Sequence, residues 1–156
     1  MNSTAELSTP VALERRVDQL LAHYAESHRH PTNERIHFVA IPFIMLSLVG
    51  LLYAASPLVA LVFLGASLVY YWRLSKVFLV TMMVITLFML TVIAALNANH
   101  ILLPVCVTVF VVAWIFQFIG HRIEGKKPSF FEDVQYLWVG PLFVLSKLFE
   151  KLGVRW

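Results

Sequence analysis

"WIFQFIGHRIEGKKPSFFED", residues 114–133, begins as a membrane span and ends as a charged loop. Its greasy half carries one amide, Gln117, and closes on Gly120-His121. Arg122, Glu124, Lys126 and Lys127 follow at once. Polar groups at the edge of hydrocarbon are costly, and in spans they mark function more often than packing. This amide and imidazole therefore need partners from elsewhere in the chain.

Working outward, the stretch is the end of one of four apolar runs, at about 36–55, 57–72, 77–96 and 101–119. About 20 apolar residues cross ~30 Å of hydrocarbon as a helix. The second run is short and uses Tyr70, Tyr71 and Trp72 as an interfacial belt. Composition agrees: of 156 residues, 60% are hydrophobic and 13% charged, whereas a soluble domain is about a quarter charged. The mean hydropathy is +0.79. Ser56-Pro57 reads as a cap plus first helical residue, and Asn97-Ala98-Asn99-His100 as a turn. The first 35 residues form a polar flank without the apolar core of a signal peptide. Cys106 is the single cysteine and lies in an apolar run, so no disulfide framework or CxxC metal motif exists.

Charge sets the expected topology. All twelve Lys and Arg precede the first run, separate the second from the third, or follow the fourth. The turns near 56 and 98 carry no charge. The positive-inside rule then places both termini in the cytoplasm, in a bacterial inner membrane or, in a eukaryote, the endoplasmic reticulum. The net charge of +3 is explained by topogenesis and lipid headgroups, and needs no nucleic acid. The expected fold is an all-α integral membrane protein, a single membrane domain over 1–156. An N-terminal amphipathic helix at 10–28 is striped by Leu13, Val17, Leu20, Leu21 and Tyr24. Residues 134–152, interrupted by Pro141, are expected to form a C-terminal interfacial helix.

That topology sorts the six histidines. His28, His30, His37 and His121 fall at the cytoplasmic face. His100 falls at the other, and His23 sits on the polar flank of its helix. Tyr24 and His28, Asn33 and His37, and Gln117 and His121 are each four residues apart, while His121 and Glu124 are three apart. A metal-bound imidazole needs its second ring nitrogen held, and a phenol, amide or carboxylate one turn away can do this. Three imidazoles suit iron(II), zinc, copper or nickel, and spacing does not choose among them. The plainer reading is of interfacial anchors and helix caps, with Lys126-Lys127 a topology signal.

"YAESHRHPTNERIHFVAIP" (24–42) and "WIFQFIGHRIEGKKPSFFEDVQYLWVGPLFVL" (114–145) resemble the two signature blocks of the membrane 2-hydroxy fatty acid dioxygenases, a family of fatty acid α-oxidation and phytosphingosine breakdown. Tyr24, His28, Pro31, Asn33, His37 and Pro42 match the first block. Gln117, Gly120, His121, Glu124, Gly125, Pro128 and Gly140-Pro141 match the second. The resemblance implies an Fe(II) enzyme that uses dioxygen to shorten a 2-hydroxy fatty acid by one carbon. His28, His37 and His121 would be the ligands, and His30, which departs from many relatives, a possible extra one. Tyr24, Asn33, Gln117 and Glu124 would stand behind them. Arg35, Arg122, Lys126 or Lys127 would hold the substrate carboxylate, and the acyl chain would lie between spans or along the last helix. Two alternatives stay open: a metal-free membrane adaptor, and a zinc-dependent lipid hydrolase with Glu124 as base.

Overall fold

The computed structural model describes residues 15–128 and 135–156. Among these are six helices and no strand: α1 (Arg16–Ala25), α2 (Pro31–Ala55), α3 (Pro57–Leu74), α4 (Lys76–Ala98), α5 (Leu102–Glu124) and α6 (Tyr136–Leu152). Four of them, α2 to α5, are long and apolar enough to cross a membrane. The first residues of the expected 10–28 helix, Leu13 among them, and residues 129–134 lie outside the described residues.

Local chemistry explains the boundaries. Pro31 and Pro57 open α2 and α3, where the missing N–H costs nothing. Ser56 occupies the cap position before α3 but makes no side-chain cap bond. The capping hydroxyl is Ser75, which accepts from the Val77 N–H at 3.2 Å. Helix α4 runs through Asn97 and Ala98, so the expected four-residue turn is shorter. The Asn99 amide donates to the Ala95 carbonyl at 2.8 Å, occupying a helix-end acceptor. His100 then takes a left-handed φ of 58°. Helix α5 does not stop at Gly120-His121. It continues to Glu124 and ends at Gly125, whose φ of 76° lets the Gly125 and Lys126 N–H groups both close on the His121 carbonyl. Pro141 lies inside α6 without ending it.

Helix α2 packs along α5 and α3, α3 along α4, and α1 along α6, which also meets α2. The stripe Val17, Leu20, Leu21 and Tyr24 of α1 is wholly buried. Residues 139–146 of α6 are buried on every side, so this helix is enclosed by its neighbours rather than laid on them by one face. Outward positions of the long helices stay apolar: Leu58, Val62, Val84, Leu87 and Phe88 are all exposed. A surface of that kind is stable against acyl chains, with each backbone polar group satisfied inside its own helix. The chain is an all-α membrane protein with four membrane-spanning helices.

Close approach of α2 and α5 is bought by glycine. A Cβ on Gly50 would collide with Cys106 Sγ. Gly50→Ala is therefore expected to destabilise the protein by about 1–3 kcal/mol through overpacking. Gly50→Ala/Cys106→Ala should recover most of that loss. Thermal unfolding in detergent measures both, and equal destabilisation of the single and double variants would rule out this contact as the cause.

Candidate metal centre

Three elements converge at one end of the bundle. The turn after α1 supplies His28, the second turn of α2 supplies His37, and the last turn of α5 supplies His121. Their exposures are only 4%, 1% and 5%, so all three imidazoles have left water. Each offers a nitrogen, and these nitrogens lie within 4.8 Å of one another. The rings stand edge to face, with centroids 4.2 Å apart for His28–His37, 5.0 Å for His28–His121 and 4.7 Å for His37–His121.

The backbone fixes the tautomers. His28 Nδ1 lies 2.7 Å from the Tyr24 carbonyl oxygen and His37 Nδ1 lies 2.9 Å from the Asn33 carbonyl oxygen. A carbonyl only accepts, so both Nδ1 atoms carry the proton and both Nε2 atoms present a lone pair. The Tyr24 carbonyl also accepts from the Ser27 N–H at 3.3 Å; at the end of α1 it has a second lone pair for the His28 ring. His37 Nε2 faces His121 Nε2 at 3.1 Å. Burial holds the His28 imidazole below its ordinary pKa, against the opposing pull of the Tyr24 carbonyl and Glu124. It is neutral near pH 7, the form that binds metal.

The donor set fits a metal. His28 Nε2, His121 Nδ1, Gln117 Oε1 and Asn33 Oδ1 are buried without a hydrogen-bond partner, all within this cluster. An orphaned buried polar atom costs about 1–3 kcal/mol. A cation accepting the Nε2 lone pairs would remove part of that cost. His121 Nδ1–H, one turn from Gln117 Oε1, would then have a natural acceptor.

The four groups expected behind the ligands are all adjacent, but not always through the atom expected. Tyr24 and Asn33 act on their histidines through main-chain carbonyls. The Tyr24 ring instead stacks on His28, with centroids 4.1 Å apart and planes 9° apart. The Asn33 amide donates to the Ser27 carbonyl and to Glu124 Oε2, each at 3.1 Å. Glu124 also accepts from the Arg29 N–H at 3.0 Å and the His30 N–H at 2.8 Å. Its carboxylate thus clamps the end of α5 to the loop that carries His28. His30 is exposed and outside the trio; its Nδ1 accepts from the Thr32 N–H at 3.2 Å and caps α2.

The basic candidates do not gather at the trio. Lys126 Nζ donates to the Glu26 carbonyl at 3.0 Å, closing the end of α1. Arg35, Arg122 and Lys127 are exposed. Arg35 faces an outer groove between α2 and α5 instead. His23 stacks near Tyr136, and His100 lies at the opposite end of the bundle.

Sequence reasoning missed three neighbours. Phe143 of α6 lies 5.4 Å from the His28 ring and 5.1 Å from Tyr24, between centroids. Gly140 lets the Tyr24 hydroxyl approach, since a Cβ there would sit 3.1 Å from it. Gly120 receives the Asn33 side chain. Glycines in block motifs were the only available signal; nothing local marks Phe143.

The phenol is not what holds His28, so Tyr24→Phe should leave metal content unchanged. Tyr24→Ala, which removes the stacked ring, should lower it. Elemental analysis of the purified variants decides, and equal loss in both would return the role to the hydroxyl.

An apolar cavity of about 80 Å³ opens beside the trio, bounded at the near end by Tyr24, Gln117 and His121 and at the far end by Val49, Leu64 and Met89. Neither a curated protein nor a solved structure matches the chain. Residues 15–152, which take in all six helices and the three converging histidines, match the family described as 2-hydroxy-palmitic acid dioxygenase Mpo1-like, and the chain belongs to that family.

Proposed function

We propose that this protein is an Fe(II)-dependent dioxygenase that shortens 2-hydroxy fatty acids by one carbon at the cytoplasmic face of its membrane. The family description supports dioxygenase chemistry on a 2-hydroxy acid. The observation that carries the reading further is the meeting of three buried imidazoles, one of which, His121, lines the end of an apolar cavity. In the overall reaction a 2-hydroxy acid and dioxygen become an acid one carbon shorter, carbon dioxide and water. Bound iron(II) would supply the activation of dioxygen, which no side chain here provides. The chain's own residues do the rest. His28, His37 and His121 hold the metal, the Tyr24 and Asn33 carbonyls orient the first two, and the enclosing helices exclude water.

Three neutral ligands leave the 2+ charge uncompensated, which favours an anionic carboxylate from the substrate. Among the described lining of the cavity there is no Lys, Arg, Asp or Glu to compete for it. Arg122 and Lys127 are left to draw anionic lipid to the surface. The hydrolase reading weakens because both Glu124 oxygens are engaged with Arg29, His30 and Asn33. The adaptor reading leaves the unpartnered nitrogens unexplained.

The test is oxygen uptake by iron-loaded protein given 2-hydroxypalmitate, with mass spectrometry of the product. Uptake with release of the acid one carbon shorter is expected, and palmitate should give none. Ester cleavage by zinc-loaded protein without oxygen uptake would replace the proposal. The cytoplasmic placement rests on the one-sided Lys and Arg. Cysteines placed at Ala98 and Ser129 should label from opposite sides, and labelling from one side would refute it.

A further inference from the structure

We propose that the substrate's alkyl tail reaches the histidines sideways from the bilayer, between α2 and α4, and lies inside the helix bundle in the cavity beside His121. The inference rests on the functional reading above, and it concerns a path that the reading leaves open. Two hollows meet here. One is the inner cavity with the polar end of Tyr24, Gln117 and His121. The other is a lipid-facing groove flanked by Phe43 and Phe88. Ile41, Met45, Met82, Met89 and Pro141 line both hollows. The partition between bilayer and cavity is therefore one layer of side chains, and three of them are methionines.

Several observations make this partition a gate rather than a wall. Helices α2 and α4 touch little directly and are held together through α3. A gap between them is closed by side chains, not by interlocked backbones. Methionine has three rotatable bonds and no branch, so it vacates and refills space at low cost. Phe43 and Phe88 are 49% and 68% exposed on the bilayer side of the partition. They offer an apolar approach to a tail already dissolved in the membrane.

The cavity also suits the shape of the molecule. Gln117 is 6% exposed and its Oε1 has no partner, so the polar end is built for a polar head. The far end is apolar. Along α2 the cavity lining runs from Ile41 to Val49, a rise of ~12 Å at ~1.5 Å per residue. That approaches the depth of one leaflet, half of the ~30 Å hydrocarbon core. At about 80 Å³ the cavity is too small for such a tail while the methionines rest in place. The tail must therefore displace them, and the residues at the floor, Val49, Leu64 and Met89, would limit its length.

Photolabelling tests this without relying on turnover. The probe is 2-hydroxyhexadecanoic acid carrying a diazirine at the tail end, added to metal-loaded protein in lipid nanodiscs. Labelling is expected in peptides containing Val49, Leu64 or Met89. A mid-chain diazirine should label at Met45 or Met82. Met45→Trp, which thickens the partition, should cut the tail-end labelling at least fivefold with metal content unchanged, whereas Met45→Leu should not. Label confined to outward residues such as Leu61, Val84 and Leu87, with no response to Met45→Trp, overturns the proposal even if the protein consumes oxygen. Labelling at the floor of a protein that consumes no oxygen keeps the tail site and removes the dioxygenase reading.

Discussion

His37→Ala and His121→Ala are each expected to strip the purified protein of its metal and to abolish turnover. The two Nε2 atoms face each other at 3.1 Å, and losing either leaves at most two imidazoles in a cluster that, among the described residues, holds no further His, Cys, Asp or Glu. Loss of a group that merely supports a ligand already costs about 10–100-fold in metal affinity, so loss of a ligand should cost at least that. Thermal stability gives a readout independent of chemistry. A ligand at about 100 times its Kd stabilises the native state by ~2.7 kcal/mol. Wild-type protein should gain stability on adding iron(II), while His37→Ala and His121→Ala should gain none. His23→Ala and His100→Ala should behave as wild type, because neither ring joins the trio. Wild-type metal content in His37→Ala or His121→Ala would end the metal-centre proposal.

Gly120→Ala should disturb the centre without touching a ligand. Its Cβ would meet Asn33 Oδ1, and Asn33 cannot simply swing away. Its amide is tied to the Ser27 carbonyl and to Glu124, which in turn holds Arg29 and His30. Relief requires α2 and α5 to separate, which moves His37 away from His121. The expected cost is about 1–3 kcal/mol of stability by overpacking, with a fall in metal content. Asn33→Gly in the same background removes the colliding side chain and should restore the helix spacing, though not the bonds to Ser27 and Glu124. Unfolding temperature and metal stoichiometry, measured together, check this. An unchanged Gly120→Ala protein would show that the contact does not set the spacing.

Much of the architecture was legible because it depends on one-dimensional patterns. Apolar length marks α2 to α5, since a helix in hydrocarbon must be apolar over its whole crossing. The three- and four-residue spacing of Val17, Leu20, Leu21 and Tyr24 marks the buried face of α1. The misread ends have local causes. Gly120 resembles a helix stop but is a contact with Asn33, and the true stop is Gly125, the glycine with positive φ. Residues 134–152 read as an interfacial helix from their interleaved charges, and α6 is not among the four helices long and apolar enough to cross a membrane. What the charges do not reveal is that Val139 to Ser146 are enclosed by neighbouring helices.

The sequence by itself determined the all-helical membrane class, the four helices long and apolar enough to cross a bilayer, and the short set of histidines that could share an end of the bundle. Each of these follows from the chemistry of residues near one another in the chain. Only the tertiary structure decided which atoms meet. His37 and His121 are 84 positions apart, and their facing nitrogens depend on how far α5 slides along α2. That register is set by glycine contacts and by the Glu124 clamp, which hydropathy does not encode. The same holds for the groups behind the ligands. A spacing of four residues puts Tyr24 beside His28 and Asn33 beside His37, but the folded backbone assigned the hydrogen bonds to their carbonyls and left the side chains other work. His30 was turned away for a similar reason: its ring caps α2 and its N–H serves Glu124, so neither is free to join the trio.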